Sequence, residues 1–137
     1  MSFSGIVLKQ VEKRMPKLMD ARAHGALDYL HAAFFLGMAL VYRRRQPRVA
    51  TAALVTGGFL LTEALLTDYP LGMKKVIPFP VHGRIDSTAA VVALSVPRIL
   101  GIEGTSASAI FKGSGLVVAV VVGMTDYDVK EPRGRAA

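Results

Sequence analysis

The residues best suited to chemistry occur in this sequence as two matched pairs, His24 with Asp28 and His82 with Asp86. Each pair has i to i+4 spacing, which places both side chains on one face of a helix. Imidazole and carboxylate are common ligands of zinc, iron and manganese. If the two pairs meet, they predict a divalent metal site. The alternative is a structural network in which the same groups hydrogen-bond to one another and fasten helices together.

The two pairs belong to a repeat in which each residue of the second copy lies 58 positions after its counterpart. The pattern His-Gly-x-x-Asp at residues 24–28 recurs at residues 82–86, and Thr-Asp-Tyr at residues 67–69 recurs at residues 125–127. One offset relates two separate segments without an insertion. The pattern therefore predicts a tandem duplication.

The repeated Thr-Asp-Tyr motif adds further residues to the candidate site. Asp68 and Asp126 are predicted to accept hydrogen bonds from the imidazole N–H groups, behind the metal ligands. Tyr69 and Tyr127 are expected to join the same polar network.

Two ionisable residues break the repeat, because the counterparts of His31 and Glu63 are Ala89 and Val121. At about 1.5 Å per helical residue, His31 and Glu63 lie at similar depths below the polar surface. They are therefore predicted to form a buried pair. Such a pair would act in proton relay or ligand binding, or it would serve packing alone.

Other chemistries have less support in the sequence. His24 and His82 could supply two axial ligands to haem, although they lie near helix starts. The chain has no Cys, which excludes thiolate ligands, thiolate nucleophiles and disulfides. Nucleotide-binding glycine motifs and a serine-nucleophile elbow are also missing from the sequence. The sequence therefore indicates no reaction.

The elements that must position these residues are apolar runs long enough to cross a membrane. Breakers and charged residues divide them, and Pro97 predicts a kink or an early end in the third run. An amphipathic helix over residues 3–19 is predicted to lie at the membrane surface. The four spanning helices are predicted over residues 23–42, 49–66, 81–102 and 110–124.

The predicted fold is all-α, an antiparallel four-helix transmembrane bundle built from a duplicated helix pair. We expect one membrane domain, divided into residues 1–20 (amphipathic helix), 21–78 (first repeat) and 79–137 (second repeat and tail). Because successive helices alternate in direction, both copies of each polar motif should lie at one membrane surface. A soluble bundle is the alternative, but residues 32–41 and 116–124 carry no charge on any face.

Charge distribution predicts the location and the partners of the protein. The net charge is +7, and the basic residues flank apolar runs, which is typical of a membrane protein rather than a nucleic-acid-binding domain. Eleven of the 17 Lys and Arg residues lie on the predicted side that carries the motifs. This surface and both termini are therefore predicted to be cytoplasmic. The expected partners are the lipid bilayer and a homodimer or a larger membrane complex.

Three segments of the sequence also resemble those of a known family, the bacterial Ser-Pro-Trp (SPW) repeat membrane proteins. The resemblance covers about residues 23–127 and rests on the segments at residues 24–29, 67–72 and 76–82 with Asp86. The chain departs from the namesake tripeptide and contains no Trp. The resemblance implies a small four-helix protein of the bacterial inner membrane without an assigned activity.

The sequence thus predicts a small integral membrane protein of structural or binding type, such as an accessory subunit of a larger complex. A metal- or haem-binding membrane protein of redox or hydrolytic type is the alternative. Both interpretations use the same polar cluster at one membrane surface.

Overall fold

The computed structural model describes residues 14–128. Within this range the chain is mostly helical, as predicted, and two short strands, β1 (Thr67–Asp68) and β2 (Ile77–Pro78), lie in the middle. The helices are α1 (Ala21–Tyr42), α2 (Pro47–Leu66), α3 (Phe79–Leu100) and α4 (Ser106–Met124).

Three of these helices, α1, α2 and α4, are long and apolar enough to cross a membrane. Their outward surfaces expose large apolar side chains, including Phe34, Leu54 and Val117. Monomeric soluble proteins rarely expose extended apolar surfaces of this kind. The three helices therefore indicate membrane association.

The helix α3 is more polar, since it carries Arg84 and Asp86. Among the helices of residues 14–128, it is the one that is not apolar enough to be a candidate membrane span. It continues through Pro97, contrary to an early end there. Gly101 ends it in a left-handed conformation with φ of 66°, and its N–H donates to the Arg98 carbonyl. Pro97 lies in the last turn of α3, where it removes one N–H and the hydrogen bond that this N–H would donate to the Ala93 carbonyl.

Side-chain caps set where two of the helices begin. The Asp20 carboxylate accepts a hydrogen bond of 2.7 Å from Ala23 N–H at the start of α1. Thr105 accepts one of 3.1 Å from Ser108 N–H, so α4 begins at residue 106 and not at residue 110 as predicted. Threonine and aspartate are favoured N-caps because their oxygens satisfy unpaired N–H groups of the first turn.

The predicted amphipathic helix over residues 3–19 lies mostly outside the described residues. Of its described end, residues 14–19, Arg14 is helical and residues 16–19 are not. Met19 forms a parallel bridge with Thr125, and Lys17 Nζ donates a 2.9 Å hydrogen bond to the Gly123 carbonyl. This end of the segment is therefore bound to the end of α4.

Matched contacts occur in the two helix pairs, because α1 packs on α2 and α3 packs on α4. A Cβ atom on Gly57 would lie 2.9 Å from Leu36 Cγ, and one on Gly115 would lie 3.1 Å from Leu94 Cγ. These two glycines, like the two leucines, are 58 residues apart. Glycine at both positions allows close approach of the helices.

At one end of the protein, backbone segments of the first half pair with backbone segments of the second half. In the first pair of strands, Thr67 lies opposite Ile77 in parallel register. An isolated bridge places Met19 opposite Thr125, also in parallel. Each residue of the second pairing lies 58 positions from its counterpart in the first. The segment before each helix pair therefore binds the segment after the other pair.

Two apolar clusters support this arrangement. Phe35 of α1 and Phe111 of α4 are fully buried with ring centroids 5.3 Å apart, so they join the two halves. The second cluster lies around the polar end and includes Ala64, Tyr69 and Phe79. Packing at that end fixes the positions of the helix starts that carry the histidines.

Candidate metal centre

Two histidines and two aspartates meet where α1 and α3 begin. His24 and His82 are each the fourth residue of their helix, and each aspartate lies one turn further along. His24 is 0% exposed, His82 1% and Asp86 4%, and Asp28 is half-buried. One ligand atom from each of the four residues can be chosen so that all lie within 4.8 Å of one another. The structure thus brings together the four residues that the sequence singled out.

The Nε2 atoms of the two imidazoles lie at the centre of the cluster, 3.0 Å apart. Asp86 Oδ2 is 3.1 Å from both of them. Asp28 Oδ1 is 3.4 Å from His24 Nε2, and Asp28 Oδ2 is 3.3 Å from His82 Nε2. Each imidazole is therefore flanked by the aspartate of its own helix and by that of the other.

Threonines at the ends of α2 and α4 determine which imidazole nitrogen carries the proton. Thr67 Oγ1 donates its hydrogen to the Glu63 carbonyl at 2.7 Å, so it must accept from His82 Nδ1 at 2.8 Å. Thr125 Oγ1 likewise donates to the Val121 carbonyl at 2.7 Å and accepts from His24 Nδ1 at 2.8 Å. A hydroxyl has one hydrogen to donate. Both neutral imidazoles are therefore protonated on Nδ1.

This tautomer directs the Nε2 lone pairs of His24 and His82 toward each other across 3.0 Å. Two facing lone pairs repel unless a cation lies between or beside them. Either one Nε2 gains a proton, or a metal ion accepts both lone pairs. Proteins commonly orient a metal-bound histidine by a hydrogen bond from the ring nitrogen that does not bind the metal, which here is Nδ1.

The distances suit tetrahedral coordination. Metal–nitrogen and metal–oxygen bonds of about 2.0 to 2.1 Å place tetrahedral ligands about 3.3 Å apart. The shortest histidine–histidine and histidine–aspartate separations are 3.0 to 3.4 Å. One donor atom from each of the four residues lies within 4.8 Å of the others, so the group could hold one zinc, iron or manganese ion.

The same distance argues against haem held by His24 and His82. Ligands on opposite sides of a haem iron must be about 4 Å apart, because each bond is about 2 Å long. The Nε2 atoms are 3.0 Å apart, and the ring centroids are 5.1 Å apart in an edge arrangement. A porphyrin has no room between these rings.

The threonines, rather than the neighbouring aspartates, are the imidazole partners, which corrects the prediction for Asp68 and Asp126. Asp68 is exposed and lies 3.6 Å from Lys75 Nζ, and Asp126 accepts from the backbone N–H of Asp128 at 3.0 Å. Successive residues of an extended segment point to opposite sides. The threonine therefore faces the cluster, and the aspartate that follows faces away.

Aromatic rings cover the cluster on its outer side. Tyr69 donates a 3.1 Å hydrogen bond to Asp28 Oδ2, and the Tyr127 ring lies 5.7 Å from the His24 ring. Both tyrosines pack on glycines, since a Cβ atom on Gly25 would lie 2.8 Å from Tyr69 Cε2 and one on Gly83 would lie 2.6 Å from Tyr127 Cζ. The second residue of each His-Gly-x-x-Asp motif is thus glycine because a tyrosine occupies that space.

Burial and the nearby Asp28 carboxylate raise the pKa of the Tyr69 phenol well above its usual value. Both influences disfavour the phenolate. Tyr69 therefore remains a hydrogen-bond donor to Asp28 at neutral pH.

His31 and Glu63 take different partners among the described residues, which corrects the predicted pair. His31 Nε2 lies 2.7 Å from Ser114 Oγ, whereas Glu63 Oε1 lies 3.3 Å from His82 Nδ1. Matching depth along two helices does not determine which faces meet. The packing turns His31 toward α4 and Glu63 toward α3.

Comparisons with protein-family models, with curated proteins and with solved structures find no match for this chain. The two His–Asp pairs form a buried group of residues that could hold a metal ion.

Proposed function

We propose that this chain is a small integral membrane protein that binds one divalent transition-metal ion between its two halves. The observation that carries the proposal is the pair of Nε2 atoms, 3.0 Å apart, whose lone pairs face each other between Asp28 and Asp86. A divalent cation would accept both lone pairs and neutralise both carboxylates. The four donors are borderline or hard ligands, which favours zinc, iron or manganese.

The proposed role of the metal is structural. All four donors come from the protein, and structural zinc sites are closed whereas catalytic sites keep one position for water. The cluster is also covered by Tyr69 and by Phe79, which is 6% exposed. The ion would fasten the start of α1 to the start of α3, and we assign no reaction to it.

Metal analysis of detergent-purified protein that has never touched a chelating column tests this proposal. We expect about one equivalent of zinc, iron or manganese per chain in the wild type, and loss of the metal in His82→Ala and His24→Ala. His31→Ala is the matched control, because its imidazole contacts Ser114 outside the cluster. Wild-type protein that is folded and free of metal would overturn the proposal.

A metal-free fastener is the second candidate, and one distance favours it. The 3.0 Å between the Nε2 atoms also suits an N–H···N hydrogen bond if one imidazole carries an extra proton. The resulting imidazolium would be balanced by Asp28 and Asp86. Folded protein without metal, destabilised equally by His24→Ala and His82→Ala, would support this candidate.

For the membrane arrangement we propose an antiparallel four-helix bundle that arose by tandem duplication, with α3 as the fourth span. The matched glycine contacts, the β1–β2 pairing and the Met19–Thr125 bridge support this, because their residues are related by the 58-residue offset. His82 and Asp86 are buried, so these two polar side chains of α3 face its neighbours, whereas Arg84 is exposed. The resemblance to the SPW repeat family agrees with the same arrangement.

We further propose that the cluster lies at the cytoplasmic surface of the bacterial inner membrane. The chain has no Cys, so single cysteines can report topology without background. Gln46→Cys lies between α1 and α2, and Lys74→Cys lies in the exposed connector between the strands. In intact cells an impermeant maleimide should label Gln46→Cys alone, whereas the reverse pattern would overturn the orientation. Release of the protein by alkaline carbonate would overturn membrane integration itself.

A further inference from the structure

Glu63 of α2 is a buried carboxylate that the proposed metal site does not use as a ligand. It is 4% exposed, and its Oε1 atom lies 3.3 Å from His82 Nδ1. Within residues 14–128, neither carboxylate oxygen has a hydrogen-bond partner. The His82 Nδ1–H points at Thr67 Oγ1, 2.8 Å away, so the contact with Glu63 is electrostatic.

This carboxylate is present on one side of the cluster only. The histidines, the aspartates and the threonines recur with the 58-residue offset, but the counterpart of Glu63 is Val121. His82 therefore has a carboxylate beside its Nδ1–H, whereas Val121 stands at the equivalent position near His24. The two imidazoles are matched in hydrogen bonding and differ in having or lacking a neighbouring carboxyl group at Nδ1.

The buried Glu63 carboxylate is expected to lower the stability of the metal-free protein. A buried carboxylate without hydrogen bonds is unfavourable in an apolar environment. Next to it, Asp28 and Asp86 are two further carboxylates, and both contact His82 Nε2. A divalent cation at the centre would attract all three.

The benefit falls on the metal-bound protein. A negative charge beside the distal N–H of a metal-bound imidazole polarises the ring and increases the basicity of the nitrogen that binds the metal. Among residues 14–128, a side-chain carboxylate contacts Nδ1 of His82 and none contacts Nδ1 of His24. The geometry therefore makes His82 the stronger donor.

We propose that Glu63 is a positioning residue that acts through His82, increasing metal affinity at the expense of the stability of the metal-free fold. This inference rests on the proposed function and deepens it. Glu63 is not one of the four proposed metal ligands, yet it accounts for the difference between the two halves of an otherwise symmetric site.

Cobalt titration of metal-depleted protein in detergent tests the inference, using Co²⁺ as a spectroscopic probe of the site. The variants are Glu63→Gln, which keeps the shape, and Glu63→Val, which reproduces the residue of the second half. We expect Co²⁺ to bind about 10- to 100-fold more weakly in both variants. The d–d absorption bands should shift because the donor strength of His82 falls.

The melting temperature of the metal-free protein separates this role from a structural one. Removing a buried carboxylate that lacks hydrogen bonds should leave that temperature unchanged or raise it, whereas loss of a packing residue would lower stability and affinity together. Thr62→Val is the matched control, since its exposed hydroxyl donates to the Gly58 carbonyl at 2.8 Å and faces away from the cluster. This control should bind Co²⁺ like the wild type.

Two further outcomes identify which claim fails. Wild-type protein that binds no Co²⁺ would overturn the proposed function together with this inference. Wild-type protein that binds Co²⁺ with the same affinity as Glu63→Gln would overturn the role of Glu63 and leave the metal site intact. The double variant Glu63→Val with Val121→Glu transfers the carboxylate to the other half, and we expect it to recover part of the lost affinity.

Discussion

The Nε2 atoms of His24 and His82, residues 58 positions apart, face each other at 3.0 Å in a site that excludes solvent from both rings. Thr125 accepts from the distal nitrogen of His24, and Thr67 accepts from that of His82. Each threonine thus lies in the opposite half from the histidine it orients. The centre of the cluster is therefore assembled by contacts between the halves.

The two aspartates should be required for metal binding. Asp28→Asn and Asp86→Asn each remove one negative charge from the donor set. Loss of a residue that only hydrogen-bonds to a metal ligand lowers metal affinity about 10- to 100-fold, and we expect each of these variants to lower it by at least as much. Competition with a chromophoric chelator measures the affinity. Asp68→Asn is the matched control, because Asp68 is exposed and lies beside Lys75. Equal affinities in the Asp28 and Asp68 variants would contradict the assignment.

The threonines should control the tautomer and the orientation of the imidazoles. Thr67→Val or Thr125→Val leaves a buried Nδ1–H without its acceptor, which should destabilise the fold by about 1–3 kcal/mol. Metal affinity should fall by about 10- to 100-fold, because the ring is no longer oriented. Chemical denaturation and chelator competition measure the two effects.

Thr88→Val is the control for this pair, since the exposed Thr88 hydroxyl donates to the Arg84 carbonyl at 3.1 Å, away from the cluster. If it destabilised the protein as much as Thr67→Val, the proposed orienting role would be wrong.

The motif glycines should tolerate no side chain. A Cβ atom at Gly25 or Gly83 would meet the Tyr69 or the Tyr127 ring at 2.8 or 2.6 Å, and such overpacking costs about 1–3 kcal/mol. Thermal unfolding of Gly25→Ala and Gly83→Ala should show a lower midpoint. Gly37→Ala is the opposite case, since nothing lies within 4 Å of its added Cβ. It should raise the stability by up to about 1 kcal/mol, because alanine favours the helix.

Tyr69 should make stability sensitive to alkaline pH. Its pKa in the folded protein is raised above the usual 10.0 by burial and by Asp28. A group with a raised folded pKa contributes stability that is fully present below its unfolded pKa and is lost as pH rises from there through the folded pKa. The free energy of unfolding of the wild type should therefore decline above pH 10, the ordinary pKa of the phenol.

The variant Tyr69→Phe should lose this part of the alkaline dependence while being less stable at neutral pH, because the hydrogen bond to Asp28 is gone. Tyr42→Phe, at the far end of α1, is the control. An alkaline decline that is as steep in Tyr69→Phe as in the wild type would assign the pH dependence to another group.

The sequence alone determined the helices and the residues of the cluster. Apolar runs interrupted by Pro, Gly and Arg are local features, and they placed α1, α2 and α3 within a few residues of their observed bounds. The His-Gly-x-x-Asp repeat identified the four residues that meet in the cluster. These predictions succeeded because helix formation and i to i+4 spacing depend on short-range geometry.

Only the tertiary structure decided which faces meet. Thr67 and Asp68 are equally prominent in the sequence, but the extended backbone turns the threonine to His82 and the aspartate to solvent. His31 and Glu63 matched in depth, yet they pack against different helices. Rotation about a helix axis and exchange between halves are set by contacts between segments far apart in the chain. Residue types and spacing do not encode those contacts locally.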